Sequence, residues 1–542
     1  MWRVAQPGAL DCYNPRRMTA PETGSRRIAR AASVVMVGMA LSSLTGLAAT
    51  ILISHAFGTS SLLDAFSAAN RLTEILFNLM AGGALASAFV PTFTGFLARG
   101  DRPGGWRLAS SIANLIFLVL GLASLLAAAF APWLVEHVLA PGFRDPGQIL
   151  LTVRLLRVML LSPVVFALSG LLMGILNAQQ HFALPALAPA CYRLGQIFGL
   201  VILVPRWGIL GLAWGVVLGS VLHLAVQLPA LARFPARYRL TLGLRDASTR
   251  LVGALMLPRL VGVGVVQLNF LVNTILASGM PEGSLAAITI AFALMIMPQA
   301  VLAQSTGIAA LPTFSAQVAR GEGSAFRTAV ADTLRGLVFL SLPASLGLVL
   351  LREPIVALLL ERGAFTTEST QMVAWALLWY AAGLVGHSLL EIAARAFYAL
   401  QDTRTPVVVG AGAMALNVVL SLGLAWAFSR WGWMPHGGLA LANSLATALE
   451  CFLLLVLLRR RTGGLEIARL RPGLQATLGA TLAMGLSLWV WLRLTAGLSP
   501  WVSGGGGVLL GAGVYLLAAW ALGAPEARQL VLAARRRWKR AS

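Results

Sequence analysis

The feature that most constrains this chain is the recurrence of apolar runs long enough to cross a bilayer. A spanning helix needs about 20 mostly apolar residues. Runs of that kind lie at roughly 32–56, 64–97, 107–138, 149–178, 184–204, 208–232, 250–278, 284–314, 325–351, 369–399, 405–428, 437–458, 473–495 and 505–524. They predict an all-α integral membrane protein of about fourteen transmembrane helices, numbered here as spans 1 to 14. Composition points the same way. Of 542 residues, 58% are hydrophobic and 11% charged, where a soluble domain carries about 25% charged residues. A chain this short of polar surface takes lipid as its solvent.

The formal net charge of +22 would suggest nucleic acid in a soluble protein. Here the arginines fall between the apolar runs, where they act as topology signals and meet anionic headgroups. No base-stacking motif accompanies them, so no nucleic-acid partner is expected. One set of ends comprises the N-terminal tail, the loops after spans 2, 4, 6, 8, 10 and 12, and the C-terminal tail. It holds Arg26, Arg27, Arg30, Arg99, Arg102, Arg233, Arg239, Arg245, Arg320, Arg327, Arg459, Arg460, Arg461 and Arg535 among others. The opposite loops hold few, including Arg144, Arg206, Arg352 and Arg362. By the positive-inside rule the first set is cytoplasmic, and an even span number puts both termini there. Residues 1–30 read as a disordered cytoplasmic tail with no signal peptide, Met18 offering a second candidate start, and 526–542 as a basic tail. Cys12, Cys191 and Cys451 show no metal or disulfide spacing.

An internal repeat divides the spans. PTFTGFLARGD at 91–101 returns as PTFSAQVARGE at 312–322, an offset of 221. The same offset carries Pro185 onto Pro406, each after a similar helix end, and GLAWGVVLGSVLHL (211–224) resembles GLALANSLATALEC (438–451). Spans 1–6 and 7–12 therefore read as two parallel copies related by an axis along the membrane normal. They give an N-lobe at 31–232 and a C-lobe at 250–460 around a central cavity. Spans 13 and 14, at 473–525, are additional. Two like-oriented lobes around a cavity suit a transporter.

The stretch LLDAFSAANRLTEILFNLMAGGALASAFVPTF (62–93) resembles the second helix of the MurJ/MviN family of bacterial lipid II flippases. Asp64, Ala65, Phe66, Arg71, Leu72, Gly83, Ala84, Ala88, Phe89, Val90 and Pro91 match its DAF, basic–Leu, Gly-Ala and AFVP pattern. The seventh span, MLPRLVGVGVVQLNFLVNTILAS (256–278), and the Pro298 segment closing in ALPTF are also similar to this family's. The resemblance implies the fold of the multidrug/oligosaccharidyl-lipid/polysaccharide exporter superfamily in a bacterial cell membrane. It implies alternating access, and a cationic cavity for an undecaprenyl-pyrophosphate-linked precursor of peptidoglycan. Spans 13 and 14 would then form a groove for the polyprenyl tail. The partners so implied are that glycan lipid and the phospholipid bilayer, for a protein acting as a monomer. The sequence departs from the family at its cavity arginines. The positions expected in spans 1, 2 and 8 fall on Ser43, Ala49, Phe77 and Ala293, and an acidic position on Ile296. A flippase of another polyprenyl-linked oligosaccharide, a cation-coupled multidrug exporter and a non-transporting relative are the alternatives.

Charges in a membrane helix cost on the order of 2.5–3.5 kcal/mol each at its centre. In span 2, Asp64, Arg71 and Asn78 are spaced seven apart and form one stripe with Glu74 beside it. The stripe is expected to line the cavity, with Arg71 gripping phosphate through its planar fork. The plainer reading is an internal Arg71–Glu74 pair, with Asp64 as a helix cap. Arg259 follows Pro258 about 8 residues, or roughly 12 Å, into span 7. It lies either in the cavity or snorkelled to the interface. Gln267, Asn269 and Asn273 make the same span polar, Gln267 and Asn273 being candidate substrate contacts. His387, Glu391 and Arg395 in span 10 form an i, i+4, i+8 stripe, read as a proton relay or a salt-bridged helix end. Arg193 in span 5 reads as a similar ion-paired end, and Arg154 and Arg157 as snorkelling. The resemblance also implies an ion site: Asn417 and Ser421 in span 11 with Asn443 and Thr447 in span 12 would offer oxygens to sodium, a serine standing where family members carry an acid. No cofactor or metal is expected beyond such possible Na+ or H+ coupling. No P-loop, nucleophile elbow or zinc-binding helix occurs, so neither an enzyme nor an ATP-driven pump is expected.

Overall fold

The computed structural model describes residues 24–81, 84–234 and 238–528, and no β-strand occurs among them. Among the described residues eleven helices are long and apolar enough to cross a membrane, or up to thirteen if two bent pairs each count as one span. The pairs are 247–257 with 262–278, and 367–382 with 384–399. The stretch expected as span 2 falls outside that count. It is built from Ser61–Ala81 and Ala84–Ala98, and its first piece carries Asp64, Arg71 and Glu74.

In chain order the first half runs α1 (Gly24–Phe57), α2 (Ser61–Ala81), α3 (Ala84–Ala98), α4 (Arg102–Ala129), α5 (Pro146–Met159), α6 (Ser162–Ala178), α7 (Ala183–Phe198) and α8 (Ile209–Ala225). The second half runs α9 (Ala247–Ser278), α10 (Ser284–Gln299), α11 (Ser305–Ala319), α12 (Gly323–Leu360), α13 (Thr367–Ala382), α14 (Leu384–Ala399), α15 (Arg404–Arg430) and α16 (His436–Arg461). Last come α17 (Ile467–Leu494) and α18 (Gly507–Ala521). The first helix starts at Gly24, inside the stretch expected as a tail to residue 30. Residues 1–23 and 529–542, the rest of the expected tails, lie outside the described residues, as does the side chain of Arg259.

Local chemistry sets several boundaries. Asp101 accepts from the Gly104 N–H and opens α4 ahead of Pro103. Asp145 accepts from the Gly147 and Gln148 N–H groups and opens α5 at Pro146. Thr366 accepts from the Ser369 N–H and opens α13. An oxygen at the cap with proline in the first turn is the favoured start of a helix.

The two halves pack in the same order. In the first, α7 lies against α1 and α8, α5 against α2, α3 and α4 against α6, and α6 against α8. In the second, α15 lies against α9 and α16, α13 against α10, α11 and α12 against α14, and α14 against α16. The α7–α8 contact is a glycine seam. A Cβ at Gly195 would overlap the backbone of Gly219, and one at Gly199 that of Gly215. Small residues at i, i+4 let two membrane helices approach this closely. Helices α17 and α18 pack on each other and on α12, where the Tyr515 hydroxyl donates to the Phe339 carbonyl at 2.5 Å. Arg335 on α12 pairs with Glu526, just past α18.

The apolar core shows where the halves meet. One cluster runs through both at the arginine-poor end, joining Leu63, Ala65 and Leu156 to Leu285, Ile288, Leu360 and Phe365. Towards the arginine-rich end it divides. Phe89, Phe93, Leu108 and Ile112 form one core, and Phe314, Phe326, Val330 and Phe397 another. The halves share one core at the arginine-poor end and have two at the other, where Val252 and Met256 at the start of α9 belong to the N-lobe core and bridge the halves.

The seam supplies a stability test. Gly199→Leu should destabilise the protein by about 1–3 kcal/mol through overpacking, read as a lower melting temperature in detergent. Gly121→Leu, with open space at its Cβ, should leave it unchanged. Equal melting of the two variants would contradict the seam.

Candidate functional site: a central polar cavity and its seal

Between the lobes lies a cavity of about 390 Å³. Its walls come from α1, α2, α7, α9, α10 and α13. The polar stripe of α2 faces it with Ser67, Asn70, Arg71, Glu74 and Asn78, residues that return to one side of a 3.6-residue helix. Arg71 Nε donates to the Thr274 hydroxyl at 3.1 Å, and its Nη1 donates to Glu74 at 2.8 Å. Its guanidinium carbon sits 5.4 Å from the centre of the Phe270 ring. Asn70 holds the other Glu74 oxygen at 2.7 Å. The side chain of Arg71 is 15% exposed and that of Glu74 44%. Two of the five guanidinium N–H groups are thus engaged, and the head is fixed by a hydroxyl, a carboxylate and a ring. The remaining donors are available to an anion.

A second cation faces the same space. Arg193 on α7 donates to Gln196 at 2.9 Å, and Gln196 donates to the Tyr192 hydroxyl at 3.0 Å. The Arg193 guanidinium lies over the Tyr192 ring at 5.4 Å. The sequence reading put Arg193 at an ion-paired helix end. The structure places it on the cavity wall with no carboxylate pair among the described residues. Its depth was the available signal, since it stands ten residues, or about 15 Å, into α7. With Glu74 opposing them, Arg71 and Arg193 leave the cavity with a net positive charge. Gln267, Asn273 and Thr274 complete the polar wall from α9, while the α10 wall is mostly apolar, with Ala293 and Ile296 and with the Thr289 hydroxyl donating to the Leu285 carbonyl.

Asp64 departs from the expected stripe. It is buried outside the cavity lining, and its carboxylate accepts from the Gly283 and Ala286 N–H groups, both at 2.7 Å. It therefore caps α10, a helix of the other lobe. A carboxylate there meets both the unsatisfied N–H groups and the positive end of the helix dipole. The sequence spacing gave its direction around α2 but not which neighbour lay in that direction.

Further bonds join the lobes at this end. The Ser61 N–H donates to Glu282 at 2.7 Å, and Thr59 and Ser369 share a hydroxyl bond of 2.8 Å. The Gly142 N–H donates to Ser278 at 3.0 Å, and the Ala364 N–H to the His55 carbonyl at 2.9 Å. Gly58 and Gly283 have φ of +59° and +81°, and a Cβ on either would overlap the facing lobe's backbone. Only glycine meets both requirements.

The expected ion-site residues fall into two groups. Asn417 donates to Asn269 at 2.9 Å, and the Ser421 hydroxyl lies 3.4 Å from Asn273 and 3.3 Å from Asn417, joining α15 to α9. Asn443 on α16 instead bonds His387 Nε2 at 3.0 Å, and Thr447 is buried on the same helix. Glu391 pairs with Arg395 within α14, so the expected relay is broken into an ion pair and a separate histidine–amide pair. Among the described residues no group of three or more His, Cys, Asp or Glu is placed to hold a metal ion.

The family model of the lipid II flippase MurJ matches residues 53–503. The chain belongs to the lipid II flippase MurJ family. It is 33% identical over 431 residues to the lipid II flippase MurJ of Burkholderia cenocepacia, covering 78% of this chain and 82% of that protein. It is 31% identical over 481 residues to the probable lipid II flippase MurJ of Bdellovibrio bacteriovorus, covering 87% and 90%. A solved lipid II flippase MurJ in an inward closed conformation shares the fold, with a TM-score of 0.77 at 23% identity over 92% of this chain and 99% of that one. An inward-facing multidrug resistance MATE transporter follows at 0.66 and 16% identity, over 79% and 98%. Membership places this chain among multi-pass membrane transporters rather than catalysts.

The seal generates a prediction. Asp64→Ala removes two charge-assisted bonds, worth about 1.5–3 kcal/mol each at most. It should lower the melting temperature and expose a cysteine placed at Ser278 to a membrane-impermeant thiol reagent. Unchanged labelling would mean that Asp64 does not hold the lobes together.

Proposed function

We propose that this protein is a lipid II flippase that carries its substrate from the cytoplasmic to the outer leaflet of the bacterial inner membrane by alternating access, for peptidoglycan synthesis. The observation that carries this reading is a membrane-embedded cavity bearing Arg71 and Arg193 in a chain of the MurJ family. An arginine fork held by neighbouring groups suits a diphosphate better than a lone ammonium does. The arginine-rich ends are taken as cytoplasmic, with both termini there. The sealed end is then the outer one, and toward the cytoplasm the two cores are distinct, bridged by the first turns of α9 on the N-lobe core. Rocking of two parallel six-helix copies about the seal would expose the headgroup outside. The polyprenyl tail would stay in lipid along α17 and α18, and the protein would act as a monomer. Another polyprenyl-linked oligosaccharide is the second reading. It is favoured by the apolar Ala293 and Ile296 on the α10 wall, which leaves headgroup recognition to α2, α7 and α9.

Expression in cells depleted of their own lipid II flippase tests the substrate. Rescue is expected, and failure of a correctly inserted protein would remove lipid II in favour of another glycan. Arg71→Ala and Arg193→Ala should each lower lipid II translocation about 10- to 100-fold, as loss of a bond to a charged group worth about 1.5–3 kcal/mol implies. Arg71→Lys should retain part of the activity and Glu74→Gln most of it. Full activity in the double alanine variant would overturn the assignment.

The rocking motion has its own test. The Thr59 and Ser369 hydroxyls are 2.8 Å apart across the seal. The Thr59→Cys/Ser369→Cys pair should crosslink under oxidation and stop translocation, with recovery on reduction. Undiminished transport by fully crosslinked protein would refute alternating access through this end.

A further inference from the structure

Translocation in one direction requires a driving force, and one carboxyl deep in the C-lobe has no neutralising partner. Glu450 lies on α16, 14 residues from His436 and 11 from Arg461. It is 8% exposed, and no hydrogen bond or ion pair reaches it among the described residues. The other acids inside the spans are engaged. Asp64 caps α10, Glu74 holds Arg71, and Glu391 holds Arg395. Glu450 instead packs on Gly410 of α15, where an added Cβ would sit 3.0 Å from its Oε1.

The helices around α16 bring no free cation to this acid. α15 carries Arg404 and Arg430 only, at its two ends. α14 carries His387, bonded to Asn443, the Glu391–Arg395 pair, and Tyr398 near its end. α13 carries Glu368 in its first turn and Tyr380 at the cavity, and α10 carries no titratable group. On α16 itself, His436 bonds the Met372 carbonyl, Cys451 is adjacent, and Arg459, Arg460 and Arg461 lie in the last turn. A bare carboxylate in such a place is tolerated only when water or a cation reaches it.

A polar seam runs from the central cavity towards this acid and ends at the Met414 carbonyl, one turn from Gly410. Asn273, on the cavity wall, meets Ser421 at 3.4 Å, and Ser421 meets Asn417 at 3.3 Å. Asn417 meets Asn269 at 2.9 Å, and Asn269 donates to the Met414 carbonyl at 3.4 Å. The next residue along that face of α15, one turn beyond Met414, is Gly410. Ser421, Asn417, Met414 and Gly410 follow i, i+3 and i+4 spacing, so a single face of α15 runs from Ser421, which touches the cavity residue Asn273, to Gly410 beside Glu450.

We propose that Glu450 is a proton-binding site of the C-lobe, taking up a proton from water on one side of the membrane and releasing it to the other as the lobes exchange access. The seam reports headgroup occupancy to it. No bond other than the carboxyl O–H forms or breaks, and the proton passes from water to water. This inference rests on the flippase reading for its role in transport, but not for the binding of the proton.

Two measurements separate those parts. The full-length protein in vesicles containing lipid II is driven by an imposed pH gradient at fixed membrane potential. The wild type should translocate several-fold faster with the gradient. Glu450→Gln should fall to the rate without a gradient while keeping that basal rate, and Glu450→Asp should respond in part. Gly410→Ala, which crowds Oε1 but keeps the acid, should blunt the response. Infrared difference spectra on pH titration should show a protonated-carboxyl band in the wild type that Glu450→Gln lacks, whether or not lipid is transported. A gradient response in Glu450→Gln equal to that of the wild type, an unchanged band, or full replacement of the pH gradient by a sodium gradient would overturn the proposal. If the wild type moves no lipid II, the flippase reading fails, and the infrared band still decides the proton site.

Discussion

The structure depends on one carboxylate placed across the lobe interface. Asp64 begins its own helix and ends on another, accepting the first free N–H groups of α10 from the opposite lobe. A helix end buried without such a partner would leave donors unsatisfied in a nonpolar setting, at about 1–3 kcal/mol for each lost bond. The same α2 carries Arg71 two turns further on. Holding its first turn against α10 therefore also fixes how far Arg71 reaches between the lobes. Seal and cavity are two ends of one rigid rod, so strain at one is felt at the other.

This arrangement makes sense of where the lobes touch. The Ser61 N–H bonds Glu282, a residue 221 positions later. That is the offset of the sequence repeat, so repeat-equivalent positions meet, as expected close to an axis along the membrane normal. Asp64 and its donors differ from that offset by one or two residues. Interfaces near such an axis are self-facing, and a small rotation changes many contacts together. The glycines at 58 and 283 allow backbone to approach backbone there. Close contact of small residues with few long side chains would suit a seal that opens and re-forms, as the proposed rocking requires.

Much of this was legible in the sequence because lipid removes alternatives. Backbone groups in hydrocarbon must be satisfied within a helix or a closed barrel, so apolar length alone fixed the secondary structure. The polar stripe of α2 was also legible, because Arg71, Glu74 and Asn78 return to one face. Two kinds of feature were not. Asp64 lies near the same azimuth as Arg71, yet meets α10 instead of the cavity. Periodicity gives direction around a helix but not what stands opposite at each depth. Arg193 reads as a helix end in the sequence because an arginine between apolar residues reads alike wherever it falls along a span. Its contacts with Tyr192 and Gln196 keep it inside the cavity, and only packing could reveal them.

The placement of Arg193 bears on the family's departure at Ala293. A phosphate-bearing headgroup in a cavity of about 390 Å³ needs cations on the wall, but the physics does not dictate which helix supplies them. In this chain the α10 wall carries no charge, and the charge comes from α2 and α7, both of the N-lobe. The C-lobe side of the cavity offers amides and a hydroxyl from α9. An anionic headgroup would then be held by charge from one lobe and by neutral hydrogen bonds from the other. Separating the lobes would break the weaker, neutral set first and leave the anion with the N-lobe. That asymmetry would give the proposed rocking motion a defined carrier, which a cavity with arginines in both lobes would not have.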